Sequence, residues 1–484
     1  MSLPNLTSQY ADTFPELVRA ATPAPTPDPQ LVVLNRSLAA ELGLDPQWLV
    51  TKAGVNFLLG HHLPTDAQPV AQAYAGHQFG NYVSSLGDGR AILTGEIHVD
   101  DGTLVDIHLK GAGPTPFSRP GSDGFAALGP MLREYLVSEA VHALGIPTSR
   151  ALAVITTGGT ILREMEQPAA VLVRTGPSHI RVGTFQYVRA QQNLELLQRL
   201  TNYSLRRHYP EVETDNPALA LLEQVVTQQA GLIAQWMHIG LIHGVMNTDN
   251  MTIAGHSIDF GPVAFLDTFD PQAVFSSIDF TGRYAYGNQP VIAEWNLARF
   301  AEALLPAIMC PADEHVMTQD EAVTAATKAV TDFSSQYSTI WADQFAQRIG
   351  LPNSPEVQAL GSQLFEHLHN SATDFTAFFA GLADIAGSGL IPADATPELM
   401  SWYRRWLELQ PQPARMADQN PIYVPRNHLV EDVIQHAVTN ENFESFHKLL
   451  AAVTSPYERQ QGFEQFEQPA PMAFSANFQT FCGT

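Results

Sequence analysis

A group of oxygen- and nitrogen-bearing side chains lies near the middle of the 484-residue chain. Asn250 stands seven residues after His243, and Asp259 follows nine residues later in the tripeptide Asp259-Phe260-Gly261. Amide and carboxylate oxygens are hard ligands that suit Mg²⁺, above all where the ion also bridges phosphate oxygens. We therefore predict that Asn250 and Asp259 bind a divalent metal, with no preference between Mg²⁺ and Mn²⁺.

The spacing is similar to that of the catalytic loop of protein kinases, where H-R-D-x-x-x-x-N precedes D-F-G and both the Asn and the second Asp hold magnesium. A D-F-G tripeptide alone is about nine times in ten an ordinary turn. The His-to-Asn spacing and a long predicted helix before His243 favour a catalytic loop. The kinase catalytic Asp would fall at Val245, and a valine cannot accept a proton from a substrate hydroxyl. Asp249 could replace it, although its carboxylate could also simply hold the loop.

A second set of charged residues lies upstream, where Lys110 ends a predicted strand and Glu134 lies in the helix that follows. A strand lysine paired with a helix glutamate is the kinase arrangement for holding nucleotide phosphates. Glu139 on the same helix is a competing partner, and spacing does not decide between the two acids. The alternative is that Lys110 and Glu134 are both solvent-exposed.

A glycine-containing turn, Leu86-Gly87-Asp88-Gly89-Arg90, leads into the first predicted strand. Glycines let backbone N–H groups approach an anion closely, so this turn could contact phosphates. A G-x-G pattern is also common in ordinary turns, and the third glycine of the kinase loop is missing.

The elements that must position these residues are predicted to form an α+β lobe and a helical region. Turn residues and apolar periodicity predict two strands around Asp100-Asp101-Gly102, a helix that opens at Pro130 and closes at Gly145, and two further strands. The predicted strands are Ala91–Val99, Leu104–Leu109, Arg150–Thr156 and Ala169–Arg174. An α+β lobe followed by helices predicts a protein-kinase-like, two-lobed fold.

Helical signals dominate beyond the α+β lobe. Asn216 and Pro217 form a cap followed by proline at the first helical position, and apolar residues then recur at helical spacing. Val291–Leu305 and several later segments show the same periodicity. Nearer the start, the Pro-rich first ~30 residues predict an extended lead-in, and Asn35 caps a predicted short helix that ends at Leu42.

Three regions follow from this pattern. We expect an N-terminal extension over residues 1–60 and a strand-rich, kinase-like N-lobe with one key helix over residues 61–190. A mainly helical C-lobe is expected over residues 191–484, with the catalytic loop at 243–261 and a C-terminal extension.

Composition excludes several other classes of protein. The chain has 25 Lys+Arg against 49 Asp+Glu, a formal charge of −24, which disfavours general nucleic-acid binding. Its 45% hydrophobic and 15% charged residues fit a folded protein. No apolar run reaches the about 18 residues of a membrane span, the first residues lack a signal or transit pattern, and two cysteines cannot build a disulfide framework or a zinc site. We expect a cytoplasmic, bacterial-type protein that binds neither nucleic acid nor membrane.

Long sequence blocks carry a more specific resemblance, to the selenoprotein O family of protein-adenylyltransferase pseudokinases. The blocks are YAGHQFG (74–80), LGDGRA (86–91), LKGAGPTPFSR (109–119), LREYLVSEAVHALGIPTSRAL (132–152), VLVRTGPSHIRVGTF (171–185), HGVMNTDNM (243–251), IDFGP (258–262) and GRYAYGNQP (282–290). They cover most of residues 60–310, and the C-terminal third matches only loosely.

The resemblance implies an inverted ATP pose in which the α-phosphate faces the acceptor. It implies that Asp249 is the catalytic base, that Glu134 orients Lys110, and that Asn250 and Asp259 bind the metal. The residues that it implies around ATP are Gly87, Gly89, Arg90, Lys110, Asp123, Gly124, Arg174, Arg181 and Asp259. Guanidinium groups match phosphate oxygens, although the two last-named arginines would otherwise be interpreted as surface residues.

Two departures from the family pattern stand out. The family usually has Gly-Asp-Gly-Arg where this chain has Ser122-Asp123-Gly124-Phe125, so any contact from that arginine is lost. Many members have a cysteine after D-F-G that can pair with a C-terminal Cys or selenocysteine, and here residues 273–280 read AVFSSIDF. We therefore expect no intramolecular disulfide between the two cysteines, Cys310 and Cys482.

The function implied by the resemblance is transfer of AMP from ATP to Ser, Thr or Tyr hydroxyls of proteins, with Mg²⁺ or Mn²⁺ and with release of pyrophosphate. One alternative is a conventional kinase in which Asp249 serves γ-phosphate transfer. Another is a non-catalytic nucleotide-binding scaffold. Val245 favours the scaffold over a conventional kinase, whereas Lys110, Asn250 and Asp259 argue against an inactive site.

Overall fold

The computed structural model describes residues 3–99, 101–163, 165–311 and 316–481. It has a strand-rich N-terminal part and a mostly helical C-terminal part, as expected for the kinase-like α+β fold. Cys482 and Asp100 lie outside the described residues, so the expected lack of a Cys310–Cys482 bond stays a prediction. Cys310 is half-buried.

The sheet of the N-terminal part is antiparallel and has eight strands in the order β1-β3-β6-β7-β10-β9-β2, with β8 paired to β10. These strands are β1 (Val18–Ala20), β2 (Gln30–Leu34), β3 (Val70–Gln72), β6 (Ala91–His98), β7 (Leu104–Lys110), β8 (Ala126–Ala127), β9 (Arg150–Leu162) and β10 (Glu166–Gly176). A separate hairpin consists of β4 (Gly76–Gln78) and β5 (Asn81–Val83).

Helices cover both faces of this sheet. They are α1 (Gln9–Thr13), α2 (Arg36–Glu41), α3 (Pro46–Leu49), α4 (Lys52–Leu58) and α5 (Leu128–Ala143). Leu172 on β10 packs in the core that includes α5, whereas its neighbours Val171 and Val173 pack in a second core with α2–α4. This alternation is the two-residue period of a strand with both faces buried.

The C-terminal part is built from α6 (Val182–Ala190), α7 (Leu194–His208), α8 (Pro217–Ile239), α9 (Gln289–Met309), α10 (Gln319–Arg348), α11 (Pro355–Ser371), α12 (Phe375–Ser388), α13 (Pro397–Glu408), α14 (Asn427–Asn440), α15 (Glu444–Val453) and α16 (Met472–Ser475). Short 3₁₀ helices cover Pro15–Leu17, Thr248–Asn250, Tyr286–Asn288, Pro413–Arg415 and Glu464–Phe466. The long helix α8 is capped at its C-terminus by Gly240, whose backbone is left-handed with φ of +75°. Two short paired strands, β11 (Leu241–Ile242) and β12 (Ala264–Phe265), then close the intervening loop at its base.

Several sequence predictions are confirmed. The Asn35 side chain accepts a hydrogen bond from the backbone N–H of Leu38 at the start of α2, and Asn216 caps α8 in the same way. Strands β6 and β7 and the long helices α8 and α9 lie where periodicity placed them.

Other predicted boundaries are wrong. Helix α5 begins at Leu128, two residues before Pro130, because proline is tolerated in the first turn, where backbone N–H groups have no partner within the helix. Strand β9 extends beyond its predicted end, to Leu162, and strand β10 begins before its predicted start, at Glu166. The first thirty residues are not an extended lead-in, since they contain α1 and β1. The region boundaries at residues 60 and 190 stay predictions.

Across the described ranges, no helix combines the length and the apolar character that crossing a membrane requires.

Candidate nucleotide site between the sheet and the central loop

A cavity of about 560 Å³ lies between the sheet and the loop that follows β11. Its described lining includes six basic residues, Arg90, Lys110, Arg119, Arg163, Arg174 and Arg181, and four acidic residues, Asp88, Glu134, Asp249 and Asp259. The cavity is thus locally cationic in a chain whose formal charge is −24. A cationic cavity of this volume suits a polyphosphate ligand such as a nucleotide.

Asp259 is the residue on which the basic side chains converge. Its Oδ1 atom accepts hydrogen bonds from Lys110 Nζ at 2.6 Å and from Arg174 Nη1 at 2.8 Å, and Arg181 Nη1 lies 3.6 Å from Oδ2. Burial alone would raise the pKa of this carboxyl, but the three cations hold its pKa well below the usual range. The backbone of Asp259 is left-handed, with φ of +62°, a conformation that Asp adopts more readily than most residues.

Lys110 is held from the other side by a helix acid. Its Nζ atom donates to Glu134 Oε1 at 2.6 Å. Glu139, the competing acid, instead accepts hydrogen bonds from Arg150, from the Asn35 side chain and from a backbone N–H. Five residues on a helix correspond to about 140° of rotation, which explains why only one of the two acids on α5 faces the cavity.

Arg174 and Arg181 are both buried, and neither is a surface arginine. Arg174 lies on β10 opposite His108 on β7, and its Nε donates to His108 Nδ1 at 3.2 Å. Arg181 stands immediately before α6, donates to the backbone carbonyl of Asp249 at 2.8 Å, and stacks over the Tyr74 ring at 4.4 Å. Both guanidinium groups therefore have fixed directions within the cavity.

The loop after β11 brings Asp249 and Asn250 to the cavity on one 3₁₀ turn. Asn250 Nδ2 donates to the carbonyl of Val245 at 2.9 Å, which fixes the orientation of the side-chain amide. Asp249 Oδ2 accepts from Gln78 Nε2 at 3.3 Å, and Oδ1 is buried with no hydrogen-bond partner among the described residues. Burial raises the pKa of Asp249 to about 6, against the opposing charge of Arg181. Such a carboxylate can accept a proton near neutral pH.

The donor set for a metal is small. Within the described ranges, no group of three or more His, Cys, Asp or Glu side chains could hold an ion. Asn250 supplies an amide oxygen. Among the described residues, the charged contact of Asp259 Oδ2 is the 3.6 Å one with Arg181, and the side chain is 18% exposed. These two hard oxygen ligands fit a site for Mg²⁺ or Mn²⁺ in which water and phosphate supply the remaining ligands.

The glycine turn at the cavity wall is held by the segment after β7. Gly87 has φ of +101°, and an added Cβ would lie 2.5 Å from the Phe117 ring. Thr115 Oγ1 donates to the carbonyl of Asp88 at 2.5 Å, and Ser118 Oγ donates to the carbonyl of Gly89. Arg90 follows directly and lines the cavity. Close packing therefore requires glycine in this turn, whatever it binds.

Asp123 and Gly124 are not brought into the cavity. The Asp123 carboxylate pairs with Arg163 at 2.7 Å and is 41% exposed. Gly124 has φ of +72°, and an added Cβ would lie 2.3 Å from the backbone of Gly113, so its glycine serves a tight turn. Neither residue is among those that line the cavity, whereas Ser122 and Phe125 on either side are.

Sequence reasoning missed Tyr74, Gln78 and His108, and it assigned no role to Asp88. All four side chains contact residues of the candidate site. Tyr74, Gln78 and Asp88 fall inside blocks that carry the family resemblance, which was the available signal. Their partners are distant in sequence, so spacing alone could not pair them.

A sheet lysine that pairs with both a helix acid and a loop carboxylate, beside a cationic cavity, defines a kinase-like, nucleotide-dependent enzyme. The family model described as "Protein adenylyltransferase SelO" matches residues 3–454. The chain belongs to this family, which confirms the resemblance found in the sequence.

Relatives agree with this assignment. The protein nucleotidyltransferase YdiU of Pseudarthrobacter chlorophenolicus is 50% identical over 99% of this chain and 98% of its own length. The proteins of the same name from Mycolicibacterium paratuberculosis and Rhodopseudomonas palustris are 49% and 47% identical, over 100% and 96% of this chain and 96% and 95% of their own lengths. The chain is therefore an enzyme of the nucleotidyltransferase class.

The backbone contact around Asp249 yields a testable prediction. An added Cβ on Gly183 of α6 would lie 2.2 Å from the carbonyl oxygen of Ala75 and 3.3 Å from Asp249 Cα. Gly183→Ala should push the Ala75 carbonyl, and with it the neighbouring Asp249 loop, away from α6, and a displacement of ~1 Å can cost about 100-fold in rate. The measurement is the nucleotide-transfer rate together with the melting temperature.

Gly231→Ala on α8 is the matched control, because nothing lies within 4 Å of its added Cβ. Alanine there should keep the rate and raise helix stability by up to about 1 kcal/mol. Equal rates for the two variants would show that the contact with Gly183 does not position Asp249.

Proposed function

We propose that this enzyme transfers AMP from ATP to Ser, Thr or Tyr hydroxyls of proteins and releases pyrophosphate. The observation that carries the proposal is the pair of buried arginines, Arg174 and Arg181, beside Asp259. Phosphoryl transfer depends on positioning and charge neutralisation, so the phosphorus that reacts is the one that faces the acceptor. Cations deep in the cavity favour a nucleotide whose β- and γ-phosphates lie inward and whose α-phosphate faces outward.

The chemical step is an in-line displacement at the α-phosphorus. The acceptor hydroxyl oxygen forms a bond to this phosphorus as the bond to the α–β bridging oxygen breaks, and pyrophosphate leaves with the electron pair. Asp249 takes the hydroxyl proton, a role worth about 10²–10⁴-fold. Arg174 and Arg181 stabilise the charge that develops on pyrophosphate, since guanidinium groups pair with phosphate oxygens.

The remaining site residues bind and orient the nucleotide. Lys110, held by Glu134, donates to phosphate oxygens, and Gly87, Gly89 and Arg90 line the same side of the cavity. Asn250 and Asp259 would hold Mg²⁺ or Mn²⁺, which neutralises phosphate charge when bound. A role for Asp123 and Gly124 would require the 122–125 turn to move, because the structure places both outside the cavity lining.

The names of the relatives and of the family support protein acceptors and adenylyl transfer. The strongly acidic composition disfavours nucleic acid as a partner. A cytoplasmic location stays a prediction.

The test of the reaction uses two labelled forms of ATP with a mixed protein substrate and Mg²⁺ or Mn²⁺. Label at the α-phosphate should become bound to protein, and label at the γ-phosphate should appear as pyrophosphate. Asp259→Ala should abolish both, because three cations lose their common partner and the metal loses a ligand. Protein-bound γ-label without α-label would establish a conventional kinase, and ATP binding without turnover would establish a scaffold.

The Lys110–Glu134 pair gives a second prediction. Lys110→Ala removes a charge aimed at the phosphates and should lower kcat/KM by about 10²–10³-fold, as for other preorganised donors. Glu134→Gln should cause a smaller loss through misplacement of Lys110. Lys328→Ala on α10 is the control, since the Lys328 side chain is 77% exposed. A Glu134→Gln variant with full activity beside a Glu139→Gln variant with none would identify the other acid as the orienting residue.

A further inference from the structure

Beside the cavity, a buried histidine links the glycine turn to Arg174, one of the two buried arginines of the cavity lining. His108 lies on β7 two residues before Lys110 and is fully buried. Its Nε2 atom is 3.1 Å from Asp88 Oδ2, and its Nδ1 atom is 3.2 Å from Arg174 Nε. His108 and Lys110 share one face of the strand because side chains alternate.

The hydrogen bonds allow only one tautomer of this ring. An arginine side chain donates and never accepts, so His108 Nδ1 must carry a lone pair toward Arg174. The proton of the neutral ring is therefore on Nε2, from which it is donated to the Asp88 carboxylate. Burial lowers the pKa of His108 against the opposing charge of Asp88, which keeps the ring neutral. Asp88 thus selects the state of His108 that can hold Arg174.

The ring is also fixed in position. The His179 ring stacks on that of His108 with 4.1 Å between centroids and 12° between planes. His179 is itself anchored by Asp106, which lies 2.9 Å from its Nδ1 and pairs with Arg207 at 2.6 Å. A ring held on its face and at both nitrogens offers Arg174 an acceptor of fixed direction.

Arg174 consequently has two anchors on its guanidinium. Nε donates to His108, and Nη1 donates to Asp259, so the plane of the group is defined. Asp259 is also a candidate metal ligand, so its bond to Arg174 can change when metal and nucleotide bind. His108 itself is not among the residues that line the cavity, so its bond to Arg174 can persist through the reaction.

We propose that His108 is a positioning residue, which holds the guanidinium plane of Arg174 so that its remaining N–H groups face the leaving phosphates. The proposal rests on the proposed function in that Arg174 is taken to contact the β- or γ-phosphate. A merely structural role is the competing account, since Asp88 also accepts from the backbone N–H of Gln72 and so supports the glycine turn. The two accounts differ in whether His108 acts through Arg174.

The test is a double-mutant cycle of His108→Leu and Arg174→Ala. For each variant, kcat and KM are measured with α-labelled and with γ-labelled ATP, and the dissociation constant of ATP is measured in the presence of the metal. His108→Leu should lower kcat tenfold or more, within the about 100-fold that misplacement can cost. In the Arg174→Ala background, the same change should have less than about a twofold further effect, since coupled residues are non-additive. If the arginine variant is too slow to assay, the cycle in ATP dissociation constants decides the question.

Rescue by a conservative variant separates positioning from support. The side-chain oxygen of His108→Asn can take the place of Nδ1 and accept from Arg174, but the bond to Asp88 is lost. His108→Asn should therefore recover most of the kcat that His108→Leu loses. His238→Leu, at a buried histidine outside the cavity lining, should leave kcat unchanged.

The proposal would be overturned if the losses of kcat in the two single variants multiplied in the double variant. It would also be overturned if His108→Asn were as slow as His108→Leu and lowered the melting temperature equally. The cycle measures the coupling between His108 and Arg174 whether the α- or the γ-phosphate is transferred. Transfer of γ-label by the unmodified enzyme would refute the proposed function and leave the question about His108 open to the same measurement.

Discussion

The site depends on one carboxylate, that of Asp259, which faces three cations. Lys110 and Arg174 come from two adjacent strands of the sheet, and Arg181 precedes the first helix of the C-terminal part. Side chains from separate elements are thereby brought to one loop residue. Loss of one partner from a mostly buried ionic cluster is expensive, because the remaining charges are left without compensation. This cluster therefore sets the geometry of the cavity and the junction between sheet and loop.

The same cluster explains how an acidic protein can bind a polyphosphate. A formal charge of −24 describes the long-range field of the chain, whereas binding is decided by the charges that line the cavity. The cations there outnumber the acids, and Asp259 and Glu134 hold Lys110 in a fixed place. Preorganised charges lose little orientational freedom when a ligand arrives, so they act more strongly than mobile surface charges.

Local signals in the sequence were sufficient for several elements. The caps Asn35 and Asn216 and the periodicity of β6, β7 and α8 located those elements because the relevant contacts lie within a few residues. The short strand β1 at the edge of the sheet and β3 beside it were missed, since three residues carry no period. Spacing could not show that Glu134 faces Lys110 and Glu139 does not, because this depends on the direction of each side chain around the axis of α5.

Long-range contacts were beyond the reach of spacing. His108 contacts Asp88 and Arg174, which stand 20 and 66 positions away in the chain, and nothing local distinguishes a buried arginine from an exposed one. The family resemblance supplied Arg174 and Arg181, and it also supplied Asp123 and Gly124, which the structure leaves outside the cavity.

The orientation of the bound nucleotide decides between transfer of the α-phosphate and transfer of the γ-phosphate at this site. A crystal structure of the enzyme with Mn²⁺ and a non-hydrolysable ATP analogue would give the distance from the Asp249 carboxylate to each phosphorus. We expect the α-phosphorus to be the nearest of the three, with Arg174 and Arg181 in hydrogen-bond contact with β- or γ-phosphate oxygens. A γ-phosphorus nearest to Asp249, with the two arginines on the α-phosphate, would contradict this expectation.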